Sequence, residues 1–224
     1  MSDLKIAAAR AALDHVRSGM TLGLGTGSTA AEFVRLLGAE VRAGKLRDIR
    51  CTSTSEATAA QARQEGIAVF ALAEVAPLDL AVDGADEIDE TLRLVKGRGG
   101  ALLREKIVEQ QARRFIVIAD ESKIVKRLGT GPFPVEVTPF ARAVLEKRFG
   151  EMGLTPKIRM KGNDVFITDE GNVIFDIAVP ATRDIADLVD DLRMLAGVVD
   201  TGFFPIEATE AVIAGSGGIR WMRR

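Results

Sequence analysis

The chain has 224 residues, 47% hydrophobic and 28% charged, the balance of a folded globular protein and not of a disordered or fibrous one; at ~150 residues per domain it holds one large domain or one with a smaller companion. Thirty basic residues face 32 acidic ones for a net charge of -2, so no overall field draws the protein to nucleic acid or an anionic membrane, and any anion needs a local site. A single cysteine, Cys51, and a single histidine, His15, leave no intrachain disulfide, no zinc site built on thiolates or imidazoles, and no ready Ser-His-Asp triad.

The lone cysteine fits a reducing compartment, and the cytoplasm is the expected location. The first residues carry Asp3, Lys5, Arg10 and Asp14 where a signal peptide needs an apolar stretch. The longest uncharged run, Ser18 to Ala31, is shorter than the ~20 residues of a membrane span.

Residues 4–17 repeat apolar side chains at helical spacing and stop at Gly19, which predicts an opening helix. Short apolar runs at 21–24, 49–51, 67–70, 80–82 and 115–119 then alternate with helical stretches from about 29, 56 and 101. Strands alternating with helices predict an α/β fold, a Rossmann-like open parallel sheet with helices on both faces. From Val135 the rhythm changes to a strand at 135–137, a helix over about 139–150 and a strand at 157–160. A hairpin follows, with arms DVFIT and VIFDI around Asp169-Glu170-Gly171-Asn172, then a helix over about 184–195 and a strand at 198–201. This order resembles a smaller ferredoxin-like α+β domain. Gly129 to Pro134, with two glycines and two prolines, reads as a linker. The apolar run Ala211 to Ala214 is expected to return as a strand to the first domain. Residues 1–130 and 203–224 are therefore expected to form the larger domain, and 131–202 the smaller.

In an open parallel sheet, ligands gather beyond the carboxyl ends of the strands. After the first strand comes Gly25-Thr26-Gly27-Ser28-Thr29, glycines that let a ligand approach the backbone and hydroxyls at a helix start, a cradle for one phosphate. Ser28 replaces the third glycine of a dinucleotide fingerprint, and no G-K-[ST] follows. A tight turn whose Ser and Thr cap the next helix has the same appearance. The fourth strand runs into Asp83-Gly84-Ala85-Asp86-Glu87-Ile88-Asp89, where crowded carboxylates at a strand end raise one another's pKa. An acidic surface loop or a divalent-cation site would share that composition. Lys96-Gly97-Arg98-Gly99-Gly100 leads into a helix carrying Glu105, and Lys123 follows the strand Phe115 to Ala119. Taken alone, Glu105 reads more readily as a helix-surface residue.

Together these segments resemble the ribose-5-phosphate isomerase A family, with its ordered G-x-G-T-G-S-T, D-G-A-D-E, K-G-x-G-x-A-L-x-R-E-K and A-D-x-S-K motifs. The resemblance covers nearly the whole chain. It implies interconversion of D-ribose 5-phosphate and D-ribulose 5-phosphate through an enediolate, in the non-oxidative branch of the pentose phosphate pathway. Glu105 is then the implied general base, with Asp83, Asp86 and Lys96 as polar groups around the reacting carbons. Implied substrate-binding residues are Thr26, Gly27, Ser28, Thr29, Asp83, Gly84, Ala85, Asp86, Lys96, Gly97, Arg98, Gly99 and Lys123. Arg98 stands where some members have glycine, and its role is open. No cofactor and no metal are implied, the partner is a small sugar phosphate, and a homodimer or larger homo-oligomer is expected. Competing readings are a sugar-phosphate sensor domain, though no helix-turn-helix precedes the first helix, an amino-sugar phosphate deaminase, or a CoA transferase of related fold.

Overall fold

The computed structural model describes residues 2–205 and 207–224. In chain order it begins with α1 (Ser2–Leu13), β1 (Thr21–Leu24), α2 (Ser28–Arg42), β2 (Arg50–Ser53), α3 (Glu56–Gln64) and α4 (Leu72–Val75). Then come β3 (Leu80–Asp83), β4 (Glu87–Ile88), β5 (Leu94–Val95), α5 (Leu102–Gln110) and β6 (Phe115–Asp120). Side chains alternate across β3 and β6: Leu80, Val82, Ile116 and Ile118 join the core beneath α1 and α2, while Ala81, Phe115, Val117 and Ala119 join the opposite core. The first core is closed by Ala8, Ala9 and Ala12 of α1 and by Phe33, Val34 and Leu37 of α2. Phe33 is fully buried, a burial that stabilises the fold by roughly 1.5–3 kcal/mol.

The second part supplies β7 (Phe133–Val137), α6 (Arg142–Glu151), β8 (Pro156–Ile158), β9 (Met160–Lys161), β10 (Asp164–Val165), β11 (Val173–Ile177), α7 (Ile185–Arg193) and β12 (Val198–Thr201). The chain ends with β13 (Phe203–Phe204), β14 (Glu210–Gly215) and β15 (Gly218–Arg223). The main sheet has the order β15-β14-β6-β3-β1-β2. All its pairings are parallel except the β14–β15 hairpin. The run Ala211–Ala214 thus returns beside β6 as expected. The antiparallel sheet β12-β7-β11-β8 carries α6 and α7 and has the ferredoxin-like order. Among the described residues no helix is long and apolar enough to cross a membrane.

Several local expectations change. Residues 67–70 form only a single bridge, Val69 to Cys51, since the chain turns directly into α4. The segment read as a linker is ordered: Gly129, Thr130 and Gly131 donate backbone N–H bonds to the Glu87 carboxylate, and Phe133 and Pro134 already belong to β7. The strand expected at 157–160 breaks at Arg159, whose guanidinium reaches Asp176 and the Gly97 carbonyl. Of the DVFIT arm, only Asp164 and Val165 form a strand, paired with β9, and Ile167 makes one bridge to Val173. The small sheet β13-β5-β4 was not anticipated.

β2 lies on one side of β1 and β3 on the other. The chain therefore reverses direction across the sheet between them, which opens a crevice at their carboxyl ends.

Candidate active site

Three strand ends meet at that crevice. The loop after β1 runs against the end of β3, where Asp83 Oδ1 accepts the N–H groups of Thr26 at 3.0 Å and of Gly84 at 2.6 Å. A relay of hydroxyls fixes the loop from behind: Thr26 donates to Ser55 Oγ at 2.8 Å, Ser55 to Thr58 Oγ1 at 3.1 Å, and Thr58 to the Gly25 carbonyl at 3.0 Å. The N-cap of α2 is Gly27, and no side chain caps the helix. Ser28 and Thr29 therefore do not serve as caps, and the first-turn N–H groups stay available to an anion. Ser28 Oγ instead accepts from Lys5 Nζ of α1 at 2.8 Å.

The cleft in front of this loop has a volume of about 210 Å³ and is lined by residues 26–29, Gly84, Ala85, Asp86, Lys96, Gly97, Gly99, Glu105 and Lys123, together with Lys5, Asp120 and Ser122. Asp86 is half-buried, and its Oδ2 accepts the Arg98 N–H at 2.9 Å. The side chain of Arg98 turns away from the cleft to Glu87 Oε1 at 2.6 Å. Arg98 thus contributes a backbone group beside the cleft, and its charge serves the Glu87 cluster. Gly100, at φ 87°, lies under the Phe166 ring, where a Cβ would fall 2.4 Å from Cζ. With Arg159 holding the Gly97 carbonyl at 2.7 Å, the smaller unit pins the glycine loop from outside.

Lys96 is the electrostatic centre, 2% exposed. Its Nζ lies 2.9 Å from Asp83 Oδ2, 3.2 Å from Glu109 Oε1 and 3.7 Å from Glu105 Oε1, and it donates to the Gly84 carbonyl. Burial alone would push the ammonium down, but Asp83, Glu105 and Glu109 outweigh it and hold Lys96 above its usual value. Glu105 stands in the first turn of α5, 3% exposed, and its Oε2 has no hydrogen-bond partner. Burial pushes its carboxyl up to about 8; Lys96 opposes the shift, while Asp83 and Asp86 add to it.

The other carboxylates of the acidic loop are drawn apart. Glu87 takes the Gly129–Gly131 amides, and Asp89 pairs with Arg93 at 2.6 Å. Among the described residues no group of three His, Cys, Asp or Glu side chains is placed to hold a metal ion. Lys5 and Glu109 escaped sequence reasoning. Glu109 had a signal, since it follows Glu105 by four residues and so shares its helix face. Lys5 had none, because only the packing of α1 brings it to the loop. His15 lies against Trp221, with ring centroids 4.9 Å apart. A wider groove of about 600 Å³ on the other face of α5, beside Phe70, Arg104 and Ile107, contains none of these buried charges.

A crevice at the strand ends, lined by a helix N-terminus and lysines and by a desolvated carboxylate beside an ammonium, fits an aldose–ketose isomerase acting on a sugar phosphate. The model of the family Ribose 5-phosphate isomerase A (phosphoriboisomerase A) matches residues 50–218, and the chain belongs to that family. It is 47% identical over 226 residues to ribose-5-phosphate isomerase A of Agrobacterium fabrum, covering 98% of this chain and 97% of the relative. It is 49% identical over 229 residues to the Rhodopseudomonas palustris (strain BisB18) protein of the same name, covering 99% and 98%. Among solved structures, ribose 5-phosphate isomerase from Plasmodium falciparum superposes with a TM-score of 0.94 at 38% identity, covering 100% of this chain and 99% of that one. A D-ribose-5-phosphate isomerase in complex with phospho-erythronic acid superposes with a TM-score of 0.94 at 37% identity, covering 99% and 98%. These findings do not favour the sensor or deaminase readings.

Proposed function

We propose that this chain interconverts D-ribose 5-phosphate and D-ribulose 5-phosphate, with Glu105 as the base that carries the proton between C2 and C1. The observation that carries this reading is buried Glu105, which lines the cleft beside the Lys96 ammonium and whose Oε2 has no hydrogen-bond partner. Desolvation makes that carboxylate more basic, which suits removal of a carbon-bound proton. As C2 loses its proton, negative charge moves onto the neighbouring oxygens, and Lys96 with the N–H groups of Gly97 and Gly99 is positioned to stabilise it. Glu105 then returns the proton to C1 while the O2 proton passes to O1, so one carboxylate serves both carbon steps and no redox or electrophilic group is required.

The phosphate is assigned to residues 26–29 at the α2 N-terminus, with Lys5 and Lys123 as countercharges. Phospho-erythronic acid is in complex with the similar solved structure; its carboxylate and phosphate match the charges of an enediolate phosphate, which supports the enediolate route. Asp86 is assigned to ring opening, because it lines the cleft and is half-buried. Asp83 Oδ1 is taken by Thr26 and Gly84, and its Oδ2 lies 2.9 Å from Lys96 Nζ, so Asp83 orients Lys96 and the loop.

The same reading takes residues 1–130 and 203–224 as the catalytic domain and 131–202 as the smaller one, supported by their separate sheets. It places the enzyme in the cytoplasm, in the non-oxidative branch of the pentose phosphate pathway. A homodimer or larger homo-oligomer is supported by Phe140 and Val144, apolar side chains one turn apart and 101% and 72% exposed. The test is direct: incubate the purified chain with D-ribose 5-phosphate alone and follow the ketose. Ketose formation is expected, and its absence from folded protein overturns the reading.

A further inference from the structure

Glu109 is a buried acid in contact with the catalytic groups, and the reaction just described gives it no role. It lies one helical turn beyond Glu105 on α5, is 2% exposed, and does not line the cleft. Its Oε1 is 3.2 Å from Lys96 Nζ, yet neither of its oxygens has a hydrogen-bond partner of good alignment. Asp83 Oδ2 is in the same condition, 2.9 Å from the same ammonium. One lysine thus faces three carboxyl groups, and four carboxylate oxygens, Asp83 Oδ2, Glu105 Oε2 and both of Glu109, are left without donors in a desolvated pocket. Such an arrangement is repulsive unless one group keeps a proton.

The groups facing Glu109 are Lys96 at the end of β5, Asp83 at the end of β3 and Glu105 on its own helix, with Asp86 beyond Glu105. Lys106, three residues before it, is engaged by Asp200 at 2.8 Å. Burial first, then repulsion from Asp83 and Glu105 and a side-chain hydrogen bond with Asp83, push the Glu109 carboxyl well above its usual range against the pull of Lys96. We propose that Glu109 is a positioning residue of the isomerisation: it keeps its proton and donates it to Asp83 Oδ2, which holds Asp83 and Lys96 in place and leaves Glu105 to take the substrate's proton. A neutral Glu109 leaves the cluster with one net negative charge when Glu105 is ionised and none once Glu105 carries the C2 proton. An ionised Glu109 would add negative charge where the enediolate develops its own.

This inference rests on Glu105 as the base, so Glu105→Gln is assayed alongside. Glu109→Leu removes the donor and should lower kcat by about 10- to 100-fold, the effect of losing one hydrogen bond to a charged group in the transition state. KM should stay within about threefold, because Glu109 does not reach the substrate. Glu109→Gln places an amide N–H where the acid O–H stood and should restore kcat to within about threefold of the native protein. In the infrared spectrum of the native chain, a protonated-carboxyl band should persist above about pH 9, where Glu105 is ionised, and vanish in Glu109→Gln. Native kcat in Glu109→Leu, equal impairment of the Gln and Leu variants, or no persistent band overturns the inference. If the Leu variant does not fold, the kcat of Glu109→Gln and the native band decide. An active Glu105→Gln would overturn the base assignment instead, and the infrared band would still report on Glu109.

Discussion

Gly25 and Asp83 are in such close contact that a Cβ on Gly25 would lie 2.0 Å from Asp83 Cγ and 2.1 Å from Oδ1. The loop after β1 can therefore press against the end of β3 only if residue 25 has no side chain. That contact lets the Thr26 N–H reach Asp83, which in turn orients Lys96.

Gly25→Ala should accordingly displace Asp83 and reduce kcat by about 10²-fold or more, the scale of a misplaced catalytic group. The overpacking costs about 1–3 kcal/mol, and at about 2–4 °C per kcal/mol a thermal melt should show the loss. A variant with native kcat would mean that the Asp83 position has no bearing on turnover.

Glu105→Gln should lower kcat by about two to four orders of magnitude, because the amide keeps the shape and cannot take a proton. The same substitution should raise thermal stability, and the sign follows from linkage. The carboxyl titrates near 4.5 when unfolded and about 8 when folded, so between those values the folded state binds more protons. Stability then falls as pH rises through the window. The melting temperature of Glu105→Gln should therefore exceed the native one by more at pH 8.5 than at about pH 4.5; an equal difference at both pH values counts against a raised Glu105.

The native pH profile carries the kinetic side of the same shift. Since only ionised Glu105 accepts the C2 proton, kcat/KM should climb with pH and level off above about 8. A profile already flat from pH 5 would require a base of ordinary acidity.

Arg98→Gly removes the guanidinium from Glu87, a buried carboxylate that keeps the Gly129–Gly131 amides and the Thr130 hydroxyl. The variant should melt lower, by about 1–3 kcal/mol of lost charged hydrogen bonding, with kcat within about threefold of native. A large rise in KM would instead return Arg98 to the substrate.

Much of the site was legible because strand ends point into one crevice, and Asp83, Lys96 and Glu105 each follow a recognisable apolar run or glycine loop. What escaped depends on packing between distant segments. Lys5 reaches Ser28 from 23 residues away only because α1 lies across β6 and β14. The strands Glu87–Ile88 and Leu94–Val95 are too short to show a period of two. The role of Arg98 stayed open in the sequence, because its partner Glu87 belongs to the acidic loop that looked like one cluster. The Gly129–Pro134 segment has linker composition, yet those same glycines free three amides to bind Glu87.

The phosphate end allows a test that separates anchoring from chemistry. The overall charge is slightly negative, so attraction of a dianion rests on the α2 N-terminus, Lys5 and Lys123. Binding energy from that non-reacting end holds C2 against Glu105, so it should be expressed in kcat as well as KM. Ribose, lacking the phosphate, should therefore be turned over very poorly by the native protein. Replacing Ser28 and Thr29 together by alanine removes two hydroxyls and the Ser28 contact to Lys5. The loss in kcat/KM should be at least about tenfold greater for ribose 5-phosphate than for ribose, since one hydrogen bond to a charged group is worth about 1.5–3 kcal/mol. Adding Lys5→Ala should widen that gap. If both substrates suffer equally in a folded double variant, the loop supports the catalytic geometry as a whole, and the phosphate is held elsewhere.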